Sequence, residues 1–293
     1  MARIAYVDGR YVPLRDARVH VEDRGYQFAD GVYEVCEVRG GRLVDEALHM
    51  ARLARSLGEL RIVAPMQELA LRTVMREVVR RNRVSDGLLY LQVTRGVAPR
   101  AHAFPSPAVR SVLVITVRRT AVNLTAAAAT GIAVVTVPEN RWARVDIKTV
   151  SLLPNVLAKQ AAKEAGAAEA WFVDAGGYVN EGSSSNAWIV TRDGELVTAP
   201  TDAPILRGVT RTVALRTAQK LGLKFSERRF TVDEAHAAAE AFVTSATQLV
   251  MPVTTIDGRT IGNGEPGFTA TALRKALLEE TSIAPDLASP VAP

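Results

Sequence analysis

Two segments bring together residue types able to do covalent chemistry on a carbonyl. They are Arg144-Val-Asp-Ile-Lys148-Thr-Val-Ser-Leu-Leu and, further on, Val179-Asn-Glu181-Gly-Ser-Ser-Ser-Asn186. The first sets a lysine in apolar company; the second sets a carboxylate against a hydroxyl-rich turn. Only six of the 36 basic residues are lysine, at 148, 159, 163, 220, 224 and 275, so lysine is kept where a guanidinium is unsuited. Arginine stays protonated and forms no imine, whereas a desolvated lysine can shed its proton and attack a carbonyl. A pyridoxal phosphate site needs such an amine for a Schiff base, and an acid to keep the pyridine nitrogen protonated.

Each residue also has an ordinary reading. Lysines commonly lay an apolar stem on the protein and leave the ammonium in water. Lys159 and Lys163 are spaced i, i+4 on a helix, Lys220 and Lys224 flank a helix end, and Lys275 sits among charges, all surface usage. Only Lys148 lies outside a charged helical face. Glu181 with Ser183, Ser184, Ser185 and Asn186 is equally a polar loop. Leu206-Arg207-Gly208-Val209-Thr210 opens a helix on a glycine, and a helix N-terminus with free N–H groups is a ready phosphate site, although most bind nothing. Arg52 in His49-Met-Ala-Arg52-Leu can point inward or lie on the surface beside Arg55. In Val93-Thr-Arg95-Gly-Val-Ala-Pro-Arg100-Ala-His102, arginine and histidine at i, i+2 of an extended segment project to one side. Together they can clamp a carboxylate.

The 293 residues suffice for a sizeable core in one large or two medium domains. A net charge of +5 is scattered rather than striped, which argues against nucleic acid and suits small anions. One cysteine, Cys36, precludes an internal disulfide and fits a reducing, cytoplasmic setting. No secretory h-region opens the sequence and no apolar run reaches membrane-spanning length. Four histidines and one cysteine give no zinc or haem spacing, and Gly182-Ser-Ser-Ser-Asn lacks the second glycine of a nucleophile elbow.

The elements that must position these residues read as a mixed α+β chain in two halves, without regular βαβ alternation. Short strands fill the first 60 residues, turned at Asp8-Gly9 and Gly40-Gly41. Helices are expected over Asp45 to Leu57 and from Met66, where Met66, Ala70, Val74 and Val78 recur every four residues. Strands follow at 88–94 and 111–117, joined by a long loop, 95–107, of the kind that is functional or mobile. The small-residue stretch 118–131 divides the halves. Beyond it come strands at 132–137, 170–173, 187–190, 241–244 and 250–256. Helices are expected near 155–165, 208–221 and 269–280, and Thr231-Val-Asp-Glu234 has capping-box spacing for one more. The division is residues 1–120, a linker at 121–130, a second domain at 131–283 and a frayed tail at 284–293.

Seven stretches in order resemble the fold-type IV pyridoxal-phosphate-dependent aminotransferases (branched-chain aminotransferase-like), and among them the D-amino acid (D-alanine) aminotransferases. They are Glu22 through Glu34, His49-x-x-Arg52-Leu, Val93 through His102, Arg141-Trp-x-Arg-x-Asp-Ile-Lys148, Glu181-Gly-Ser-Ser-Ser-Asn, Gly208-Val-Thr-Arg and Phe242-Val-Thr-Ser245. The resemblance implies a small N-terminal α/β sandwich domain and a larger C-terminal domain with a barrel-like β core flanked by helices. It implies Lys148 as the Schiff-base lysine, Glu181 facing the pyridine nitrogen, and Arg52, backbone N–H groups of Val209 and Thr210, and Ser245 on the phosphate. Leu206 would pack on the ring. Tyr33, Arg100 and His102 would hold the substrate α-carboxylate, with the Arg–His loop reaching in from the second subunit of an obligate homodimer. The activity implied is ping-pong transamination between a D-alanine-like amino acid and a 2-oxo acid such as 2-oxoglutarate or pyruvate. A branched-chain L-aminotransferase or an aminodeoxychorismate-lyase-like enzyme shares the core set, and a non-catalytic binding protein would have lost part of it. One departure is Ala246 where relatives often have threonine, so a phosphate hydrogen bond is missing or comes from Thr247.

Overall fold

The structure is a computed structural model that describes residues 3–120, 124–202 and 204–283; the tail expected at 284–293 lies outside them. The first half builds a six-stranded sheet. Its strands are β1 (Ile4–Val7), β2 (Arg10–Pro13), β3 (Gly31–Arg39), β4 (Arg42–Leu43), β5 (Gly87–Thr94) and β6 (Val112–Arg119), in the order β2-β1-β6-β5-β3-β4. Asp8-Gly9 and Gly40-Gly41 make the two tight turns, with positive φ at all four residues. A short helix α1 (Arg24–Phe28) precedes β3, and α2 (Glu46–Glu59) and α3 (Glu68–Asn82) cover the sheet.

α3 differs from the strict four-residue spacing expected of it. Its buried stripe is Leu71, Met75, Val78 and Val79, with Met66 and Val74 at the edge and Ala70 exposed. Four residues turn a helix about 400°, so an every-fourth pattern drifts about 40° per step off the buried face. Mixed steps of three and four stay on it.

Residues 124–130, expected as linker, carry α4 (Leu124–Thr130). Then come β7 (Ile132–Pro138), α5 (Leu153–Glu164), β8 (Glu169–Val173), β9 (Tyr178–Gly182), β10 (Asn186–Val190) and β11 (Leu196–Thr198). The remainder is α6 (Val209–Lys220), β12 (Phe225–Glu227), β13 (Phe230–Thr231), α7 (Val232–Ala237), β14 (Glu240–Ser245), β15 (Leu249–Ile256), β16 (Arg259–Thr260) and α8 (Phe268–Ile283). Thr231 and Glu234 form the expected capping box on α7. The ten strands run β12-β11-β10-β14-β15-β7-β8-β9-β13, with β16 beside β15. β9 and β10 lie far apart on that path, yet only residues 183–185 connect them. So short a link forces the sheet to curl until the two strands meet, which gives the barrel-like second half.

Both faces of this curled sheet are covered, so its central strands read as continuous apolar runs. On β10, Ala187 and Ile189 enter one core with Val243 and Trp171. Trp188 and Val190 enter the other, with Phe242 and with Val213, Ala214, Leu273 and Leu277 of the helices. Trp188 and Phe242 are cross-strand partners whose rings stack at 5.4 Å.

The two sheets are tied by the segment leading to α5. Tyr33 N donates to Lys148 O at 3.0 Å and Val150 N to Gly31 O at 3.1 Å, so this segment pairs with the start of β3.

Candidate active site

A cleft between the two sheets is lined by Tyr33, Arg52, Lys148, Glu181, Ser183–Asn186, Leu206, Gly208–Thr210 and Ser245–Thr247, among others. Its empty space, including the part open to solvent, is about 1010 Å³. The pairing of residues 148–150 with β3 sets Lys148 against the outward-facing Tyr33: Nζ is 3.3 Å from the phenol oxygen and 4.4 Å from the ring centre. Tyr33 in turn stacks on Tyr90 at 5.7 Å. Burial, with Tyr33 adding to it, pushes the Tyr90 hydroxyl up to about 12, so this phenol stays neutral.

Glu181 is buried at the end of β9. Its carboxylate accepts from Arg141 Nη1 at 2.5 Å, Asn186 Nδ2 at 3.0 Å and the Leu206 backbone N–H at 3.0 Å. Asn186 also donates to Leu206 O at 2.9 Å, which fixes Leu206 beside the acid. Arg141 is anchored in turn by Glu139, with Nη2 2.6 Å from Oε2. Burial pushes the Glu181 carboxyl up to about 7, against the pull of Arg141, the Leu206 N–H and, more weakly, Lys148.

The native Glu181 carboxyl keeps its proton to about 7, whereas the unfolded one releases it near 4.5. Its contribution is therefore fully present below 4.5 and is lost as pH rises through 7. Denaturant unfolding of the ligand-free protein should show stability falling across that window by on the order of 3 kcal/mol from this group, and Glu181→Gln should remove that part of the slope. The same slope in both proteins would refute the assignment. Glu34, held down to about 2, titrates below this window and does not obscure it.

The serine turn after Glu181 is itself held by a second buried acid. Glu169 accepts from Ser183 Oγ, from Ser184 Oγ at 2.9 Å and from Ser185 Oγ at 3.0 Å, and pairs with Lys159 at 3.0 Å. Lys159, expected as a plain surface lysine, thus neutralises a carboxylate with no solvent exposure. Despite burial, Lys159 and the Ser183 hydroxyl keep Glu169 below the usual carboxylate range.

At the other end of the cleft, Arg52 spans β3 and the start of α6. Its Nε and Nη2 each donate to Glu34 at 2.7 Å, and Nη1 donates to Arg207 O at 3.2 Å. His49 Nδ1 lies 2.7 Å from the same carboxylate. Although burial opposes it, Arg52 and His49 hold the Glu34 carboxyl at about 2. Gly208 caps α6 with no side chain to take the first-turn N–H groups of Val209 and Thr210. A Cβ there would lie 2.1 Å from Asn186 Oδ1, so only glycine lets the helix start this close to the Glu181 network. In the β14–β15 turn the Ser245 and Thr247 hydroxyls are 3.1 Å apart, and Ala246 between them offers none.

Tyr33, Arg52, Lys148, Glu181, Leu206, Val209, Thr210 and Ser245 thus share one cleft. Arg100 and His102 do not: both are exposed on the loop after β5, outside the cleft of their own chain. Sequence reasoning missed Glu34 and Glu169, and the roles of Asn186 and Arg141. One signal was available for Glu34. It shares the core-facing side of β3 with Val32, Cys36 and Val38, where an acid needs a partner.

The donor set fits pyridoxal phosphate. An amine and a phenol stand at one wall, a buried acid tied to an arginine at another, and a glycine-opened helix, an arginine and two hydroxyls at a third. Among the described residues no group of His, Cys, Asp and Glu could hold a metal ion, and no helix is long and apolar enough to cross a membrane.

Residues 31–256 match the family described as Amino-transferase class IV. The chain is 40% identical over 284 residues to a D-alanine aminotransferase of Bacillus licheniformis, covering 94% of this chain and 97% of the relative. It is 38% identical over 276 residues to a D-alanine aminotransferase of Listeria innocua, covering 94% of each. Among solved structures, the branched-chain aminotransferase of the archaeon Thermoproteus uzoniensis with norvaline superposes with a TM-score of 0.85 at 25% identity, covering 96% of this chain and 95% of that one. The Escherichia coli branched-chain enzyme shares the fold at a TM-score of 0.89 and 24% identity, covering 95% and 94%.

Proposed function

Because the chain belongs to the class IV aminotransferases, we propose that its cleft moves the amino group of a D-amino acid, D-alanine-like in size, onto a 2-oxo acid such as 2-oxoglutarate or pyruvate. The observation that carries this is the placing of Lys148 beside Tyr33 in one cleft with the buried Glu181–Arg141 pair. D-alanine aminotransferases at 37–40% identity support the D-series.

Pyridoxal phosphate, when bound, supplies the aldehyde carbon that takes the substrate amine and a ring that accepts the electron pair left by the α-proton. Arg52, the N–H groups of Val209 and Thr210, and the hydroxyls of Ser245 and Thr247 would hold its phosphate. Leu206 would pack against its ring and Glu181 would face its nitrogen. Lys148 Nζ would take the proton from the substrate α-carbon and give it back, acting first as base and then as acid. Tyr33 Oη orients the amine between these steps. Arg141 keeps Glu181 aimed at the cleft, so the acid needs no rearrangement when positive charge arrives. With the cofactor bound, this set would serve both halves of a ping-pong cycle, release of one oxo acid and uptake of a second.

Tyr33, Arg100 and His102 form the α-carboxylate trap in this reading. Since Arg100 and His102 project from an exposed loop outside their own cleft, the reading makes the enzyme a homodimer in which each loop completes the partner's site. Buried Cys36, unpaired, suits a reducing cytoplasm.

Paired D- and L-amino acids coupled to 2-oxoglutarate test the assignment. D-alanine should exceed L-alanine and L-leucine in kcat/KM by roughly 100-fold or more. Faster turnover of L-leucine would replace the proposal with a branched-chain activity. Pyruvate formed from a substrate without any amino acceptor would indicate a lyase.

A further inference from the structure

The loop after β5 is held by groups that do not touch the cleft. Arg24 opens α1 and is 3% exposed. Its Nε donates to Asp30 at 2.8 Å, Nη1 to Ala101 O at 2.6 Å and Nη2 to His102 O at 3.3 Å. Arg95 holds the other side of Asp30, with Nε at 2.7 Å and Nη2 at 2.9 Å. Asp30 is half-buried, which alone would raise its pKa, but the hydrogen bonds from Arg95 and Arg24 keep it lowered, so it remains an anion. At the loop's base, Arg24 N donates to Gly96 O at 2.9 Å. Gly96 has φ +112°, and a Cβ on it would lie 2.0 Å from Arg110 O.

The last residue of α1, Phe28, completes the arrangement. The Arg100 guanidinium lies 4.5 Å from the centre of its ring and the His102 imidazole 5.4 Å. Arg24 lies 4.8 Å from the same ring. Two exposed side chains, two residues apart, therefore rest on one aromatic platform while a buried arginine grips the backbone between them.

A buried ion cluster gains little stability over apolar packing of the same volume. What this one fixes is a loop tip that buries almost nothing. An unheld tip would spread Arg100 and His102 over many rotamers, and ordering them would then be charged against each binding event. We propose that Arg24, clamped by Asp30 and seated with Phe28, is a positioning residue for substrate recognition: it presets Arg100 and His102 as a convergent pair for the carboxylate of a D-amino acid. This rests on the reading of Arg100 and His102 as the carboxylate trap.

The test uses the holoenzyme and the variants Arg24→Met, Arg24→Lys and Phe28→Leu, the last leaving the buried charges untouched. D-alanine is compared with a small chiral amine lacking the carboxylate, followed as a single half-reaction. Arg24→Met and Phe28→Leu should raise KM for D-alanine roughly 10- to 100-fold with kcat nearly kept. The half-reaction with the amine should not change. Arg24→Lys, which keeps the charge but loses the directed fork, should fall between. Unchanged KM for D-alanine, or equal losses on both substrates, would overturn the inference. If Arg24→Met does not fold, Phe28→Leu decides by the same criteria. Arg100→Leu separates the layers. If it leaves the D-alanine KM unchanged, the trap reading is wrong. If it raises KM while Arg24→Met and Phe28→Leu do not, only the positioning role is lost.

Discussion

Lys148→Ala should lower D-alanine turnover by at least about 10⁴-fold, the upper range for losing a positioned acid–base group, with a further loss because covalent attachment through the amine also disappears. The fold should survive. The side chain rests on the Tyr33 hydroxyl and ring, and a cation–π contact of this kind contributes about 1 kcal/mol. Lys148→Arg should be as inactive as alanine, because a guanidinium at that point gives up no proton. Added methylamine should restore part of the rate to Lys148→Ala and none to Lys148→Arg, since arginine fills the space. Single-turnover kinetics with thermal unfolding check both halves. A Lys148→Ala enzyme within 10-fold of the parent would leave the proposed chemistry without its base.

Arg100→Leu should raise KM for D-alanine steeply while the cofactor stays bound. One charge-assisted pair contributes about 1.5–3 kcal/mol, or roughly 10- to 150-fold in affinity. Arg100 does not line the cleft that Arg52, Val209, Thr210 and Ser245 line, so absorbance of the bound cofactor should be unaltered. Mixing subunits gives a sharper result. If the loop acts across the dimer, a heterodimer of Lys148→Ala with Arg100→Leu holds one intact cleft and recovers activity at low D-alanine that neither parent shows there. If the loop acts within its own chain, both clefts of that heterodimer are defective and mixing restores nothing.

Much of this was legible in the sequence where local chemistry decides the outcome. Thr231 and Glu234 capped their helix as their spacing requires, and Asp8-Gly9 and Gly40-Gly41 turned where positive φ is tolerated. Lys148 was marked by scarcity and Glu181 by the serines after it. What stayed hidden were the partners of buried charge. Glu34 with Arg52, Arg141 with Glu181 and Glu169 with Lys159 are 18, 40 and 10 residues apart. No single helix or strand holds both members of any pair, so no local period reveals them; only the packing of separate elements does. Ala70 was misplaced for the opposite reason, since a local period was extended beyond the arc that a helix can bury.

The clip between residues 148–150 and the start of β3 has a mechanical consequence. The Lys148 amine rides on the seam itself, so prising the lobes apart would drag it from the Tyr33 phenol. Any gaping of the two lobes must therefore break the hydrogen bonds of Tyr33 to Lys148 and of Val150 to Gly31.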